Sequence, residues 1–201
     1  MAFQTPIERI LLSKVQFLEI EHQIRLQEHL RRYAAVRRFI YGRVLDFACG
    51  CGYGTYLLSN NPEVVEIIGV DKDADSIKWA KQEYEGGTCK FICEDIRKLE
   101  GKFDTLVSLE TIEHFADDKI YSEIIKNYSL SQIILSYPNK KSTHFNPFHV
   151  RDLNIQEICN SFNEFILYHT FSMGDVDFLI FIRKPEKMPH HIVKNIIDLK
   201  S

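Results

Sequence analysis

The sequence predicts an alternating α/β fold, a single domain with a mostly parallel seven-stranded sheet and an antiparallel last strand, preceded by N-terminal helices. From residue 44 onward, short apolar runs of strand length alternate with helical segments, as the crossovers of a parallel sheet require. The runs at 165–170 and 177–183 have no helix between them, so we expect that pair to be antiparallel. Before Gly42, apolar residues recur at spacings of three and four, which is typical of helices.

The predicted elements follow in chain order. The residues from Ile7 to Ile40 predict two helices, or one long broken helix, ending at Gly42. The predicted strands cover 44–48, 66–70, 88–93, 103–109, 132–136, 165–170 and 177–183, and the predicted helices between them cover 73–84, 117–127 and 154–162. We expect residues 1–41 to form a helical lid or interface, 42–185 the sheet domain and 186–201 a tail.

Composition excludes several classes of protein. Apolar residues make up 45% of the 201 residues, which rules out wholesale disorder. Lys plus Arg is 25 and Asp plus Glu is 28, a net charge of −3, so nucleic acid is not an expected partner. No apolar run approaches the roughly 20 residues of a membrane helix, and the N-terminus lacks the pattern of a secretory signal. The five cysteines form no disulfide pattern, so we expect a reducing cytoplasm.

The most informative segment is 44–54, a short strand followed by three glycines at alternate positions and a helix start. Such glycines let the backbone turn sharply and approach a ligand closely. Asp71 ends the next strand, where a carboxylate can accept both hydroxyls of a ribose. A pyrophosphate loop would need glycine at position 55, which is Thr55. Because Asp46 precedes the loop, a ligand with a ribose and a positive charge but no phosphate is expected.

The string D-x-A-C-G-x-G-Y-G, followed by an acidic end to the second strand, resembles the class I, Rossmann-like methyltransferases that depend on S-adenosylmethionine (SAM). The resemblance covers about residues 30–185 and implies SAM as the cofactor. It implies that Asp46, Gly50 and Gly52 frame the methionine part of SAM. On this view a side chain at Gly52 would collide with the cofactor, and Gly52→Val would abolish binding while leaving the fold intact.

The same resemblance assigns the rest of the cofactor site. It implies that Asp71 binds the ribose hydroxyls and that Asp95, after the third strand, meets the adenine amino group. A turn or helix-cap role for Asp95 remains the alternative. Glu110, after the fourth strand, is expected beside the methionine or the acceptor. The other implied cofactor contacts are Ala48, Tyr53, Lys72 and Ile96.

Three further strings narrow the resemblance: L-E-T-I-E-H at 109–114, S-Y-P-N at 136–139 and N-P-F-H-V-R-D at 146–152. With the glycine loop, they look like the small methyltransferases of bacterial surface-glycan, lipopolysaccharide and O-antigen clusters. The resemblance therefore implies methyl transfer to a hydroxyl, or to a phosphate, of a sugar or glycan intermediate.

Methyl transfer from a sulfonium depends mainly on alignment, and a hydroxyl acceptor also benefits from a base. His114 and His149 are the candidate bases, because both follow strands at the expected ligand edge of the sheet. A structural hydrogen bond is the alternative role for each histidine. Glu113 belongs to the same predicted catalytic set. Arg151, with Lys140 and Lys141, would position a phosphate acceptor.

Glu110, Glu113, His114 and His149 could instead bind a metal, since carboxylate and imidazole suit a divalent ion. The small-RNA 2′-O-methyltransferases use such a cluster, but with a second histidine in the same segment. This chain has Asp117 there, and we expect no metal.

Two other functional classes remain open. A non-catalytic SAM-fold subunit of another enzyme is compatible with the compact size and with 127–131, which replaces a Pro-Gly-Gly turn common in relatives. An RNA methyltransferase could use the arginines of the N-terminal helix to contact phosphates, although a solvated helix face explains them as well. The N-terminal helices also offer an interface for a homodimer. The arginines are Arg31, Arg32, Arg37 and Arg38.

Overall fold

The computed structural model describes residues 12–99, 101–144 and 146–185. The helices are α1 (Lys14–Val36), α2 (Tyr53–Ser59), α3 (Ala74–Tyr84), α4 (Lys119–Asn127) and α5 (Ile155–Ser161). The strands are β1 (Gly42–Phe47), β2 (Val64–Asp71), β3 (Cys89–Cys93), β4 (Thr105–Leu109), β5 (Gln132–Pro138), β6 (Phe165–Met173) and β7 (Val176–Arg183). Three short 3₁₀ turns cover Arg37–Phe39, Ile96–Lys98 and Ile112–His114.

The seven strands form one sheet in the order β3-β2-β1-β4-β5-β7-β6. The pairs among β1 to β5 are parallel, and β7 runs antiparallel to both β5 and β6. The predicted fold class and the antiparallel last strand are therefore confirmed. The β6–β7 hairpin turns at Gly174, whose φ of +58° favours glycine, and β6 extends beyond its predicted end to meet this turn.

For the N-terminal part, the sequence left open two helices or one long broken helix. Among the described residues it is one α-helix, followed directly by the 3₁₀ turn at Arg37–Phe39. Ser13 and Gln16 form a reciprocal capping box at the start of this helix: each side chain accepts a hydrogen bond from the other residue's backbone amide, so two backbone donors are satisfied. The predicted helix start at Ile7 lies outside the described residues. The C-terminal half of α1 packs on α2, with Tyr33 and Val36 buried.

Two apolar clusters, one on each face of the sheet, form the core. Neighbouring strand residues face opposite clusters, as the pleat requires: Val44 lies in one cluster and Leu45 in the other. Ile77 of α3 covers the first face, and Ile124 of α4 covers the second. The loops at the carboxyl ends of β1 to β5 are thereby held at one edge of a rigid sheet. Within the described ranges, no helix is both long and apolar enough to cross a membrane.

Candidate functional site

In the glycine loop between β1 and α2, three residues have a left-handed backbone conformation, and a side chain at one of them would enter open space. Ala48, Gly50 and Gly52 have φ values of +59°, +53° and +84°. A Cβ on Gly50 would meet no described atom within 4 Å, so this glycine faces open space at the sheet edge. A Cβ on Gly52 would lie 2.5 Å from Ala80 Cβ and 2.7 Å from a ring carbon of Phe91. A side chain at Gly52 would therefore collide with the protein core, so the expectation that Gly52→Val leaves the fold intact is corrected, whereas a side chain at Gly50 would enter open space.

Asp71 supports the glycine loop directly. Its Oδ2 accepts a hydrogen bond of 2.9 Å from the Gly50 amide, and its Oδ1 accepts one of 2.9 Å from the Asp73 amide. The half-buried carboxylate thus lies at the tip of β2, against the loop residue that faces open space. A carboxylate holding two amides keeps acceptor capacity for ligand hydroxyls, because it has about four lone-pair sites.

Asp46 lies beneath the same loop and is fully buried. The Thr55 hydroxyl donates a 2.6 Å hydrogen bond to its Oδ2, whereas its Oδ1 has no partner among the described residues. Burial raises the pKa of Asp46 from 3.8 to about 7, and the bond from Thr55 opposes this shift. A cation brought near the loop would favour the ionised carboxylate. Thr55, which excluded a pyrophosphate loop in the sequence, is the residue that holds Asp46.

Asp95 follows β3, as predicted, and its carboxylate is engaged within the chain. It caps the 3₁₀ turn by accepting from the Arg97 amide at 3.1 Å, and it pairs with the Arg97 guanidinium and with Lys72 Nζ at 3.2 Å. The hydrogen bond from Arg97 holds the pKa of Asp95 well below its usual range. Ile96 is buried in the core, so only its backbone can face a ligand. The helix-cap role of Asp95 is present, and adenine recognition would have to share this carboxylate.

Helix α1 borders the open edge beside the glycine loop. The Tyr53 hydroxyl and His29 Nδ1 are hydrogen-bonded at 3.0 Å, and the Tyr33 ring occupies the space that a side chain on Gly54 would need. Arg32 reaches Glu110, with 3.8 Å between its Nη1 and Oε2. Sequence reasoning missed His29, because helical periodicity indicates a buried face but not which polar residue meets a distant loop.

Glu110 ends β4 in a strained conformation, with φ at +50°. Its amide donates to Ser136 Oγ at 2.9 Å, and that hydroxyl donates to Glu110 Oε1 at 2.9 Å. Burial raises the pKa of Glu110, and the charge of Arg32 opposes the shift. Ala48 and Glu110 thus place left-handed non-glycine residues at the carboxyl ends of adjacent strands. Strain of this kind concentrates at functional sites.

A cavity of about 770 Å³ opens between α1 and the loops after β4, β5 and β6. It adjoins the glycine-loop side at Glu110 and Arg32. Most of its lining is polar or charged, with both signs represented. The lining residues are Glu28, His29, Arg31, Arg32, Glu110, Glu113, His114, Pro138, Ser142, Asn146, His149, Met173, Gly174, Asp175 and Val176.

The structure brings Glu113, His114 and His149 together at this cavity. One ligand atom from each lies within 4.8 Å of the others. Glu113 Oε1 is 4.0 Å from His114 Nε2 and 3.8 Å from His149 Nε2. Glu113 is 1% exposed, and neither of its carboxylate oxygens has a hydrogen-bond partner in the described chain. Burial, with the charge of Glu110 second, raises the pKa of Glu113 to about 8.

Neighbouring groups orient both imidazoles. His114 Nδ1 lies 2.8 Å from the Phe148 carbonyl oxygen and donates to it. His149 Nδ1 lies 2.7 Å from Ser142 Oγ, and its Nε2 lies 2.7 Å from the Asn146 amide nitrogen. Burial, with the charge of His114 second, lowers the pKa of His149. The sequence carried no signal for Ser142 as a partner of His149 beyond its place in the same loop.

Arg151 is not brought to the cavity. Its guanidinium pairs with Asp118 and approaches the Ile112 carbonyl at 3.4 Å. Lys140 pairs with Asp175. The cationic side chains that line the cavity in the described chain come from α1 instead.

The chain matches the methyltransferase domain family over residues 41–191 and belongs to it. The cyclopropane-fatty-acyl-phospholipid synthase of Escherichia coli (strain K12) is 30% identical over 108 residues, which are 52% of this chain and 28% of that protein. The malonyl-[acyl-carrier protein] O-methyltransferase of Bacillus anthracis is 32% identical over 108 residues, 52% of this chain and 39% of that protein. The chain thus spans less than half the length of these curated relatives.

Solved structures show the same fold. The magnesium protoporphyrin IX methyltransferase of Synechocystis PCC 6803 with bound SAH has a TM-score of 0.62 at 20% identity, covering 88% of this chain and 90% of that one. The complex of the Haloferax volcanii Trm112 methyltransferase activator with a methyltransferase gives 0.66 at 12% identity, covering 82% and 95%. The predicted class, a class I SAM-dependent methyltransferase domain, and SAM as its cofactor are confirmed. The narrower resemblance to surface-glycan enzymes is not shown by these comparisons.

Proposed function

We propose that this chain transfers the methyl group of SAM to a hydroxyl of a sugar or glycan intermediate. The observation that carries the proposal is the cavity beside Glu110, whose lining is dominated by charged and hydrogen-bonding side chains. A polyhydroxylated acceptor can satisfy such groups, whereas burying them against an acyl chain would leave them unpaired. A phospholipid acyl acceptor, the class named for the E. coli relative, would need an apolar lining, and Pro138, Met173 and Val176 supply little of one.

The proposed cofactor site is the open edge at Gly50 and Asp71. SAM bound there would place its ribose at the β2 tip and its methionine part toward Asp46 and Glu110. The methyl carbon would then face the cavity, and in-line transfer requires the acceptor oxygen to approach from the far side of the carbon. In this arrangement α1 covers the site through His29 and Arg32, which is the proposed lid role of the N-terminal segment.

The acceptor hydroxyl is proposed to lose its proton at the cluster of Glu113, His114 and His149. His149 has both ring nitrogens engaged by neighbours, whereas His114 Nε2 faces Glu113 across 4.0 Å. Of the two sequence-predicted bases, His114 therefore has the nitrogen available to the cavity. Arg32, which lies at the same cavity, replaces Arg151 as the proposed cationic positioner of the acceptor.

The experiment is a tritiated-methyl assay with the purified chain. Sugar and nucleotide-sugar, isolated glycan, phospholipid, acyl-carrier-protein and RNA fractions are offered as acceptors. Alkali-stable label in a sugar or glycan fraction is expected, since an ether survives base and a methyl ester does not. Base-labile label would indicate a carboxyl acceptor, label released by a phosphodiesterase would indicate a phosphate acceptor, and label confined to lipid or RNA would contradict the proposal. No label in any fraction, despite measured SAM binding, would favour the non-catalytic subunit.

A pair of variants tests the cluster once an acceptor is identified. His114→Ala should reduce turnover by about 10²–10⁴ and leave SAM affinity unchanged, because the imidazole acts on the acceptor side. His22→Ala, on the exposed part of α1, is the matched control and should retain parental turnover. Equal rates in both variants would remove His114 from the mechanism.

We also propose that α1 forms the interface of a homodimer in the cytoplasm. Its first half exposes large apolar side chains, among them Val15 at 64% and Phe17 at 55%, which is costly for a solvated helix. All five cysteines are free thiols, as a reducing compartment maintains them. Sedimentation of the parent and of Phe17→Glu should show a dimer and a monomer, and a monomeric parent would exclude the interface. The other exposed apolar residues of this helix are Leu18, Ile20, Ile24, Leu26 and Leu30.

A further inference from the structure

The cluster of Glu113, His114 and His149 has a property that acid–base chemistry alone does not explain: its acceptor atoms converge, and the one donor among them in the described residues is the Asn146 amide at His149 Nε2. We propose that these three side chains bind one divalent transition-metal ion, whose remaining coordination positions open into the acceptor cavity. The proposal takes up the metal-binding alternative that the sequence left open, against the expectation of no metal. The metal site rests on the side-chain contacts and does not depend on the identity of the acceptor.

The first step of the argument is the carboxylate. Glu113 is 1% exposed, and both of its oxygens lack a hydrogen-bond donor among the described residues. Arg32 and Arg151 influence it only through space, because their guanidinium groups pair with Glu110 and Asp118. A buried, unpaired carboxyl is expensive unless a cation or a proton compensates it. Its Oε1 lies within 4.0 Å of an imidazole nitrogen of each histidine, which makes a shared cation the compensation that serves all three groups.

The second step is the protonation pattern of the imidazoles. Because His114 donates from Nδ1 to the Phe148 carbonyl, the neutral ring carries its lone pair on Nε2, the atom that faces Glu113. His149 donates from Nδ1 to Ser142 Oγ, so its Nε2 is also an acceptor, now bonded to the Asn146 amide. Metal-binding histidines are fixed in this way, by donating their other nitrogen to a carbonyl or hydroxyl. Binding of an ion requires only that the Asn146 amide release Nε2.

The third step is the fit of distance and ligand type. Ligands about 2.1 Å from a tetrahedral ion lie about 3.4 Å apart. The Glu113–histidine separations of 3.8 and 4.0 Å therefore need to close by about 0.4–0.6 Å, and the longest separation in the cluster, 4.8 Å, needs to close by more than about 1 Å, which side-chain rotation can supply. Two imidazoles with one carboxylate favour zinc, cobalt, iron or manganese over calcium and magnesium, which prefer oxygen ligands. Three protein ligands leave at least one position for a substrate oxygen.

The role of the ion rests on the proposed function. With the ion bound, His114 Nε2 is a metal ligand and no longer the base of the metal-free site. A hydroxyl that binds the open position then has a lowered pKa and releases its proton to solvent. The alkoxide oxygen then forms a bond to the methyl carbon while the carbon–sulfur bond breaks, and the sulfur keeps the electron pair. SAM and the alcohol thus give the neutral thioether, the methyl ether and one proton, with no oxidant or reductant. Glu113 and both histidines keep the ion in place throughout.

The test uses Co²⁺ as the probe and binding as the readout, so that failure of the assigned acceptor does not affect it. The full chain is treated with a chelator, and Co²⁺ is titrated with calorimetry and visible absorption. We expect one high-affinity site with the d–d bands of nitrogen and oxygen coordination, which Zn²⁺ displaces and Mg²⁺ does not. Cys51→Ser, Cys93→Ser and a doubly substituted His190→Ala, His191→Ala background remove competing thiol and imidazole ligands.

Three variants locate the site in that background. Glu113→Gln and His149→Ala should each weaken Co²⁺ binding by at least about tenfold and abolish the assigned bands, while circular dichroism stays parental. Ser142→Ala, which only orients His149, should weaken binding by about 10–100-fold and retain the bands. His22→Ala should change nothing. Absence of a high-affinity site in the folded parent, or a site that survives Glu113→Gln and His149→Ala, overturns the proposal and leaves metal-free base catalysis by His114.

Discussion

The two halves of the ligand edge differ in how their polar groups are satisfied. On the β1–β3 side, the chain supplies the partners itself: backbone amides occupy both oxygens of Asp71, and Arg97 and Lys72 occupy Asp95. On the β4–β5 side, Glu113 is buried with both oxygens unpartnered among the described residues, facing His114 and His149. The β1–β3 side, which we call the cofactor half, is ready for its ligand without rearrangement. The β4–β5 side, which we call the acceptor half, has unsatisfied polar groups until a ligand binds. Buried polar groups are ordinarily paired, so the contrast identifies where chemistry is concentrated.

The largest expected effect tests the rigidity of the cofactor half. Gly52→Val places a side chain 2.5 Å from Ala80 Cβ at a φ of +84°, so we expect overpacking and backbone strain to cost about 2–6 kcal/mol of stability. Chemical unfolding monitored by circular dichroism measures the loss. Gly50→Ala is the matched control: it should cost only about 1–2 kcal/mol, because no described atom opposes its Cβ, yet it should block SAM in calorimetry. A stable Gly52→Val protein would return this glycine to the ligand side.

The next prediction concerns Asp46, which differs from the other carboxylates of the cofactor half because its Oδ1 has no hydrogen-bond partner among the described residues. Its pKa is raised from 3.8 to about 7 in the folded chain, so the folded state holds this proton more tightly than the unfolded state. The associated stability is complete below about pH 4 and is lost as the pH rises to about 7, amounting to up to about 4 kcal/mol. Asp46→Asn should remove this slope from unfolding free energies measured between pH 4 and 8. An unchanged slope would mean that Asp46 is ionised in the native chain.

Substitution of Asp71 tests whether the carboxylate that accepts from the Gly50 amide also binds the ribose of SAM. Asp71→Ala removes the acceptor for ribose hydroxyls and the bond that holds Gly50, so SAM affinity should fall by about tenfold to a hundredfold. Asp73→Ala removes a helix cap nearby and should leave SAM affinity unchanged. Calorimetric titration of both variants measures the difference, and a loss below threefold for Asp71→Ala would move the ribose elsewhere.

The contrast between the halves also explains what the sequence could predict. The alternation of apolar runs predicted the sheet and its antiparallel last strand, because these depend on local pattern and chain order. The glycine loop and Asp71 were identified because their contacts lie between consecutive elements. The Gly52 packing against Ala80 and Phe91, and the orientation of His149 by Ser142, depend on tertiary placement and left no local pattern. Arg151 was predicted to position the acceptor because it lies near His149 in the sequence. In the structure its guanidinium pairs with Asp118, on another segment.

A smaller effect distinguishes two roles of Asp95, recognition of the adenine of SAM and capping of the 3₁₀ turn that follows it. If its carboxylate meets adenine as well as Arg97, Asp95→Ala should weaken SAM by about threefold to tenfold, the value of one hydrogen bond. Arg97→Ala keeps the carboxylate and removes only its partner, so SAM affinity should change by less than about twofold. The two variants are compared by calorimetry at one salt concentration. Equal losses would show that the turn, and not the Asp95 carboxylate, supports binding.

The smallest expected effect would decide whether the acceptor half is truly incomplete. Glu113→Gln replaces a carboxyl that has no described hydrogen-bond partner with a neutral amide of the same shape, so in chelator the unfolding free energy should change by less than about 1 kcal/mol. Thr55→Val, the comparison in the cofactor half, removes the donor to buried Asp46 and should cost about 1–3 kcal/mol. Urea unfolding at pH 7 measures both. A larger loss for Glu113→Gln than for Thr55→Val would mean that this carboxyl is held by the fold, and the difference between the two halves would disappear. A near-zero loss shows instead that the fold gains little from Glu113, so the position is kept for a ligand that binds across it.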